Sequence, residues 1–182
     1  RQTYLIHIPF VLSEKIAMTT LHVSPFNPLS ADFNRISAAT SELLLPVQSH
    51  ASTNSIVFID SRLPDFEQLL AVAPVGTAVI VLDKAQDGLQ QIAAALKAYQ
   101  NLDSISIISH GADGLLLLGN AALHETNLAN YQSELDVISN ALNASGDLLL
   151  YGCNVAASIK GQSFIQALAL ATNADIAAST ND

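Results

Sequence analysis

Two residue types that could act together on a carbonyl stand at matched places in this chain. Cys153 is the only cysteine among the 182 residues. It closes the run Leu148-Leu149-Leu150-Tyr151-Gly152-Cys153-Asn154. His110 closes a similar run, Ile105-Ser106-Ile107-Ile108-Ser109-His110-Gly111, 43 residues earlier (153 − 110). A cysteine attacks as its thiolate, and a free thiol near pH 7 is ionised to only a few per cent. An imidazole beside it can take the proton. Backbone N–H groups of Gly111 and Cys153 could then hold the oxyanion of an acyl intermediate. A glycine next to each reactive residue lets backbone and substrate approach closely. His110 and Cys153 are therefore the candidate catalytic pair, with Gly111 and Cys153 as the candidate oxyanion hole.

Such a pair needs two neighbouring elements to deliver it. Short apolar runs rich in β-branched residues read as buried parallel strands. In an open α/β sheet the carboxyl ends of the strands form the edge where ligands bind. Three further strands are read at Ile56–Ile59, Ala78–Leu82 and Asp175–Ser179. Between them lie helical patterns: Pro64 to Leu70, then Leu89 to Tyr99 with an apolar residue every three or four positions, then Leu128 to Leu142, then Gly161 to Leu170. Leu115–Leu118 and Ala121–Leu123, separated by Gly119-Asn120, read as a small hairpin. Alternating strands and helices predict a three-layer α/β/α sandwich around a mostly parallel sheet. Residues 54–182 form that domain. Residues 1–53, broken by Pro9, Pro25, Pro28 and Pro46, read as an irregular leader with one short helix near Asp32 to Leu45. The absence of a starting methionine and the stop just after the fifth strand suggest a fragment, cut short at its C-terminal end.

Composition narrows the function classes. Half of the residues are apolar and 13% are charged, with a formal net charge of −9. That is a globular composition with no electrostatic footprint for nucleic acid. No apolar run nears the roughly 20 residues needed to span a bilayer. One cysteine excludes an intrachain disulfide. No phosphate-cradling glycine motif is present. Cys153, His110 and Asp113 can be imagined as a metal site, but no ligand spacing supports one. No cofactor and no metal are expected.

Ser109-His110-Gly111 and Tyr151-Gly152-Cys153, in this order at successive strand ends, resemble the caspase-haemoglobinase fold of cysteine peptidases. In that fold the histidine precedes the cysteine by about 50 residues. A closer resemblance is to a bacterial domain of uncharacterised function found near the N-terminus of long secreted adhesin-like and repeat proteins. It is carried by Val57-Phe58-Ile59-Asp60-Ser61, Asp87-Gly88-Leu89-Gln90-Gln91-Ile92, the two strand-end motifs and Ala177-Ala178-Ser179-Thr180-Asn181-Asp182. The resemblance implies His110 as general base and acid, Cys153 as nucleophile and Gly111 as a share of the oxyanion hole. It implies a peptide or the parent polypeptide itself as substrate, and a secreted or surface location. Tyr151 replaces the glutamine of the caspase motif and would face the substrate's first subsite. Asp60 stands where related peptidases set specificity and would favour Arg or Lys in the substrate. Asp60 can equally cap the helix that follows it, and Asp83 has the same ambiguity. The alternative function is a non-catalytic N-terminal module of a large surface protein. A redox or acyl-transfer domain would need a resolving thiol or a cofactor motif, and neither is present.

Overall fold

Five strands, β1 (Ser55–Asp60), β2 (Thr77–Leu82), β3 (Leu102–Ile108), β7 (Leu142–Tyr151) and β8 (Asp175–Ala178), form one sheet in the order β2-β1-β3-β7-β8. All four pairings are parallel. The computed structural model describes residues 54–180 apart from Val72, Pro74 and Val75. The leader expected over residues 1–53 lies outside the described residues. Helices α1 (Phe66–Ala71), α2 (Gly88–Leu96), α3 (Gln132–Ala141) and α4 (Ile159–Thr172) connect the strands. Between β3 and α3 sits a second, antiparallel sheet of β4 (Gly111–Ala112), β5 (Leu115–Leu118) and β6 (Ala121–His124). A 3-10 turn over Glu125–Tyr131 leads from it into α3. The protein is therefore α/β, with a mostly parallel five-stranded sheet flanked by helices.

Strand alternation assigns the two faces. Ile56, Phe58, Leu82, Ile105, Ile107, Leu148, Leu150 and Ile176 point to one side and share a single core with Leu89, Ile92 and Leu96 of α2, Leu135 and Ile138 of α3, and Phe164, Ile165 and Leu168 of α4. Burying each of these side chains contributes about 1.5–3 kcal/mol. The three rightward connections, β2 to β3, β3 to β7 and β7 to β8, thus all cross on this face. The leftward connection, β1 to β2, must cross on the opposite face if it too is right-handed. It carries α1, which buries none of its residues. On that second face the register aligns a row of Val81, Ile59, Ile108 and Tyr151 across four strands. Val81 and Tyr151 are each 38% exposed.

Local chemistry places the element ends. Asp87 caps α2, accepting from the amides of Leu89 and Gln90 at 3.0 and 3.1 Å, and its other oxygen accepts from the Tyr131 hydroxyl at 2.8 Å. That hydrogen bond holds the Tyr131 proton on, raising its pKa. Asn173, left-handed at φ +50°, ends α4. Several boundaries differ from those read in the sequence, two of them next to the site's strands and loops. The third helix stops at Ala141, and Leu142 already pairs with Leu102. A bulge follows, because the three residues Leu102 to Ser104 of β3 oppose the six from Leu142 to Asp147. Asn143 stabilises the bulge by accepting from Ser145 N–H at 2.8 Å. The last helix starts at Ile159 rather than Gly161, because Ser158 caps it through the Lys160 amide. The hairpin at Gly119-Asn120 is as expected; β4, its third strand, is additional.

Candidate functional site

His110 and Cys153 follow β3 and β7, which are adjacent and parallel. Their ladder continues one step beyond the strands, with Ser109 N–H donating to the Tyr151 carbonyl at 3.0 Å. The two chains then stay together as loops. A Cβ built on Gly111 would lie 2.5 Å from a methyl of Val155 and 3.2 Å from the Cys153 carbonyl. Only glycine permits that approach. Gly114 N–H donates to the Val155 carbonyl at 3.0 Å. His110, Gly111 and Cys153 therefore share one place on the carboxyl rim of the sheet. Cys153 is a free, exposed thiol and His110 is half-buried. Among the described residues no hydrogen bond joins the imidazole to the thiol.

Ladder parity settles the Gly111 amide. Leu117 N–H donates to the His110 carbonyl at 2.9 Å, and Gly111 pairs with Leu116. Gly111 thus occupies a non-hydrogen-bonded position of the antiparallel pair, so its N–H points away from β5. The amides of Gly111 and Cys153 both lie at this rim, with neither used in a ladder.

Asp113 ties the two loops from the side. The N–H of Ser158 donates to its Oδ1 at 2.9 Å and the Ser158 hydroxyl donates to Oδ2. The Ser158 hydroxyl, then its amide, hold Asp113 below the usual carboxylate range, with Gly161 and Lys160 contributing less. Asp113 thus holds Ser158, the residue that caps α4, while the Lys160 amide of the helix bonds the Ser158 hydroxyl. Cys153 lies six positions before α4.

Asp60 is fully buried at the end of β1. Oδ1 accepts from Arg62 N–H at 2.9 Å and Nε at 3.3 Å. Oδ2 accepts from Arg62 Nη2 at 3.1 Å and from Gly119 N–H at 2.8 Å. Both oxygens are engaged, so a substrate guanidinium would have to compete with Arg62. Burial works against the charge, but the Arg62 and Gly119 hydrogen bonds outweigh it and hold the carboxyl below its ordinary value. A depressed folded-state value means that this stabilisation is present above about pH 4, the unfolded carboxylate range, and is lost as pH falls through the folded value. Asp60→Asn is expected to lower stability by about 1–2 kcal/mol at pH 7 and to flatten the acid limb of a stability–pH profile measured by urea unfolding. A variant with the parent's acid limb would assign that limb to other carboxylates.

Tyr151 ends β7 at the same rim as Cys153, beside Ile108 and partly open to solvent. Asp83 is exposed and closes its own turn, accepting from Ala85 N–H and Gln86 Nε2. A shallow hollow of about 230 Å³, lined among others by Ser139, Asn143 and Thr172, lies at the opposite rim, beside the starts of β7 and β8. None of His110, Gly111, Tyr151, Cys153 or Asp60 lines it.

Residues 56–182 match the family described as a domain of unknown function, DUF4347. The chain belongs to this family. The matched stretch runs from β1 past β8 and includes every strand of both sheets. No curated protein and no solved structure matches the chain. Among the described residues of this DUF4347 domain, no helix is long and apolar enough to cross a membrane.

Sequence reasoning missed the clasp between Asp113 and Ser158. Its signals were present but local. Asp113-Gly114 is a turn pair, and Ser158 is a preferred helix-capping type. Nothing in either signal says that the carboxylate reaches a residue 45 positions away. The bond from Gly119 to Asp60, across 59 positions, was invisible for the same reason.

Proposed function

We propose that this domain is a cysteine peptidase of caspase-haemoglobinase-like, three-layer α/β/α design. Cys153 is its nucleophile and His110 its general base and acid. The Cys153 thiol gives its proton to the His110 imidazole, and the sulfur attacks the scissile carbonyl. The amides of Gly111 and Cys153 hold the resulting oxyanion. As the C–N bond breaks, the imidazolium gives its proton to the leaving amine and an acyl-enzyme remains. Water, deprotonated by the same imidazole, then releases the acid and restores the thiol. Tyr151, beside the nucleophile, is the proposed wall of the first subsite. The proposed substrate is a peptide or the parent polypeptide, itself proposed to be a secreted or surface adhesin-like protein.

The observation that carries this reading is the meeting of two loops at one rim. It puts Gly111 against the backbone of an exposed, lone cysteine. The test is processing of the parent polypeptide by purified protein, followed by mass spectrometry of the fragments. Cys153→Ala is expected to abolish cleavage. The same fragments at the same rate from the variant would remove Cys153 from the chemistry.

A second reading is favoured by a different observation. The imidazole and thiol are not hydrogen-bonded to each other, and Ser158, the cap of α4, is held by Asp113 and not by the thiol. A non-catalytic module at the N-terminal side of a large surface protein needs neither contact. A parent chain that stays intact, with Cys153 alkylated no faster than free cysteine, favours this reading over the peptidase.

A further inference from the structure

We infer that Asp113 is a positioning residue for His110 and Cys153: its bonds to Ser158 clasp the loop that carries the imidazole to the loop that carries the thiol. This rests on the reading of those two residues as a catalytic pair.

The two loops are joined at both ends. At the near end Ser109 N–H bonds the Tyr151 carbonyl at 3.0 Å. At the far end Asp113 takes both the amide and the hydroxyl of Ser158, and Gly114 N–H bonds the Val155 carbonyl at 3.0 Å. Between the near and far ties stand only His110, Gly111 and Ala112 on one side. On the other side stand Gly152 to Ala157, with Cys153 among them. Each reactive residue is thus bracketed. Contact between the loops is tight around Asp113 as well. A Cβ on Gly161 would sit 2.6 Å from Asp113 Oδ1 and 2.5 Å from the Val155 carbonyl. The clasp therefore packs against the turn that follows the thiol.

An ordinary capping residue lies next in sequence to the helix that it caps. Ser158 already does this for α4. Asp113 bonds that capping residue from 45 positions away, and the effect is to fix one loop on the other. A catalytic pair needs this, because a misplacement of about 1 Å costs on the order of a hundredfold in rate.

The experiment is a double-mutant cycle on the alkylation rate of Cys153 by iodoacetamide at pH 7, in the full chain. Asp113→Ala is expected to slow alkylation about tenfold. Asp113→Asn keeps an acceptor for the Ser158 amide and is expected to stay within about threefold of the parent. In a His110→Ala background, Asp113→Ala should have no further effect, since no imidazole is left to position. That loss of effect is the readout that a purely structural cap would not give. Equal slowing with and without His110 overturns the clasp while leaving the pair intact. A His110→Ala rate equal to the parent's overturns the pair and the clasp with it. If circular dichroism shows Asp113→Ala unfolded, the cycle is run with Ser158→Ala, which removes one of the two bonds and is held to the same pattern.

Discussion

Replacing His110 by alanine is expected to slow alkylation of Cys153 by iodoacetamide at pH 7 about ten- to thirtyfold. Only the thiolate reacts, and a thiol without help is ionised to a few per cent at this pH. A base that takes the proton can therefore raise the rate by no more than the inverse of that fraction, which sets the upper figure. The chain has one cysteine, so the labelled mass reports this site alone. His124 serves as the control. Its Nδ1 bonds the Thr126 hydroxyl at 2.9 Å, on the far strand of the small sheet. His124→Ala should leave the rate unchanged. Equal slowing in both variants would point to a general loss of fold instead of a lost base.

Gly119→Ala is expected to destabilise the domain by about 3 kcal/mol. Gly119 has φ +57°, in the left-handed region where a side chain is strained. A Cβ there would lie 2.0 Å from the Gln86 carbonyl and 3.0 Å from the Asp83 carbonyl, both backbone atoms. Backbone cannot swing aside as a side chain can, so the hairpin must lift. Lifting it breaks three hydrogen bonds: Gly119 N–H to Asp60, Asn120 N–H to the Gln86 carbonyl, and Asn120 Nδ2 to the Ala85 carbonyl. It also uncovers Leu116 and Leu118, each 1% exposed. Urea unfolding followed by circular dichroism measures the change. A midpoint within about 0.5 kcal/mol of the parent's would show that the hairpin shifts at no cost.

The sheet was legible because its strands are apolar runs buried by neighbours, a signal that survives without knowledge of tertiary contacts. Val57–Ile59, Ala78–Leu82, Ile105–Ile107, Leu148–Leu150 and Ile176–Ala178 all fall in parallel strands. The hairpin was legible because Gly119-Asn120 has turn chemistry. What was not legible depends on partners distant in sequence. Gly111–Ala112 has no strand pattern of its own and becomes a strand only by pairing with Leu115–Leu116. The start of β7 is polar, Asn143-Ala144-Ser145, and joins the sheet through a bulge opposite Leu102. By its sequence position alone Asp60 reads as a specificity residue or a helix cap. Its bonds to Arg62 and Gly119 depend on a hairpin that docks at the end of β1. His110, Gly111, Tyr151 and Cys153 could be read as a group because strand order and strand ends follow from the alternation of elements. Which amides stay unpaired there needed the ladder itself.

The most direct test of the central claim is proximity of the two side-chain positions at the rim. His110→Cys places a second thiol opposite Cys153, and a disulfide closes only if the two Cα atoms lie within about 7 Å. Mild oxidation of the purified variant should give a monomer lighter by two hydrogens, with no thiol left to alkylate. Two free thiols after oxidation, or a disulfide found only between separate chains, would contradict the account.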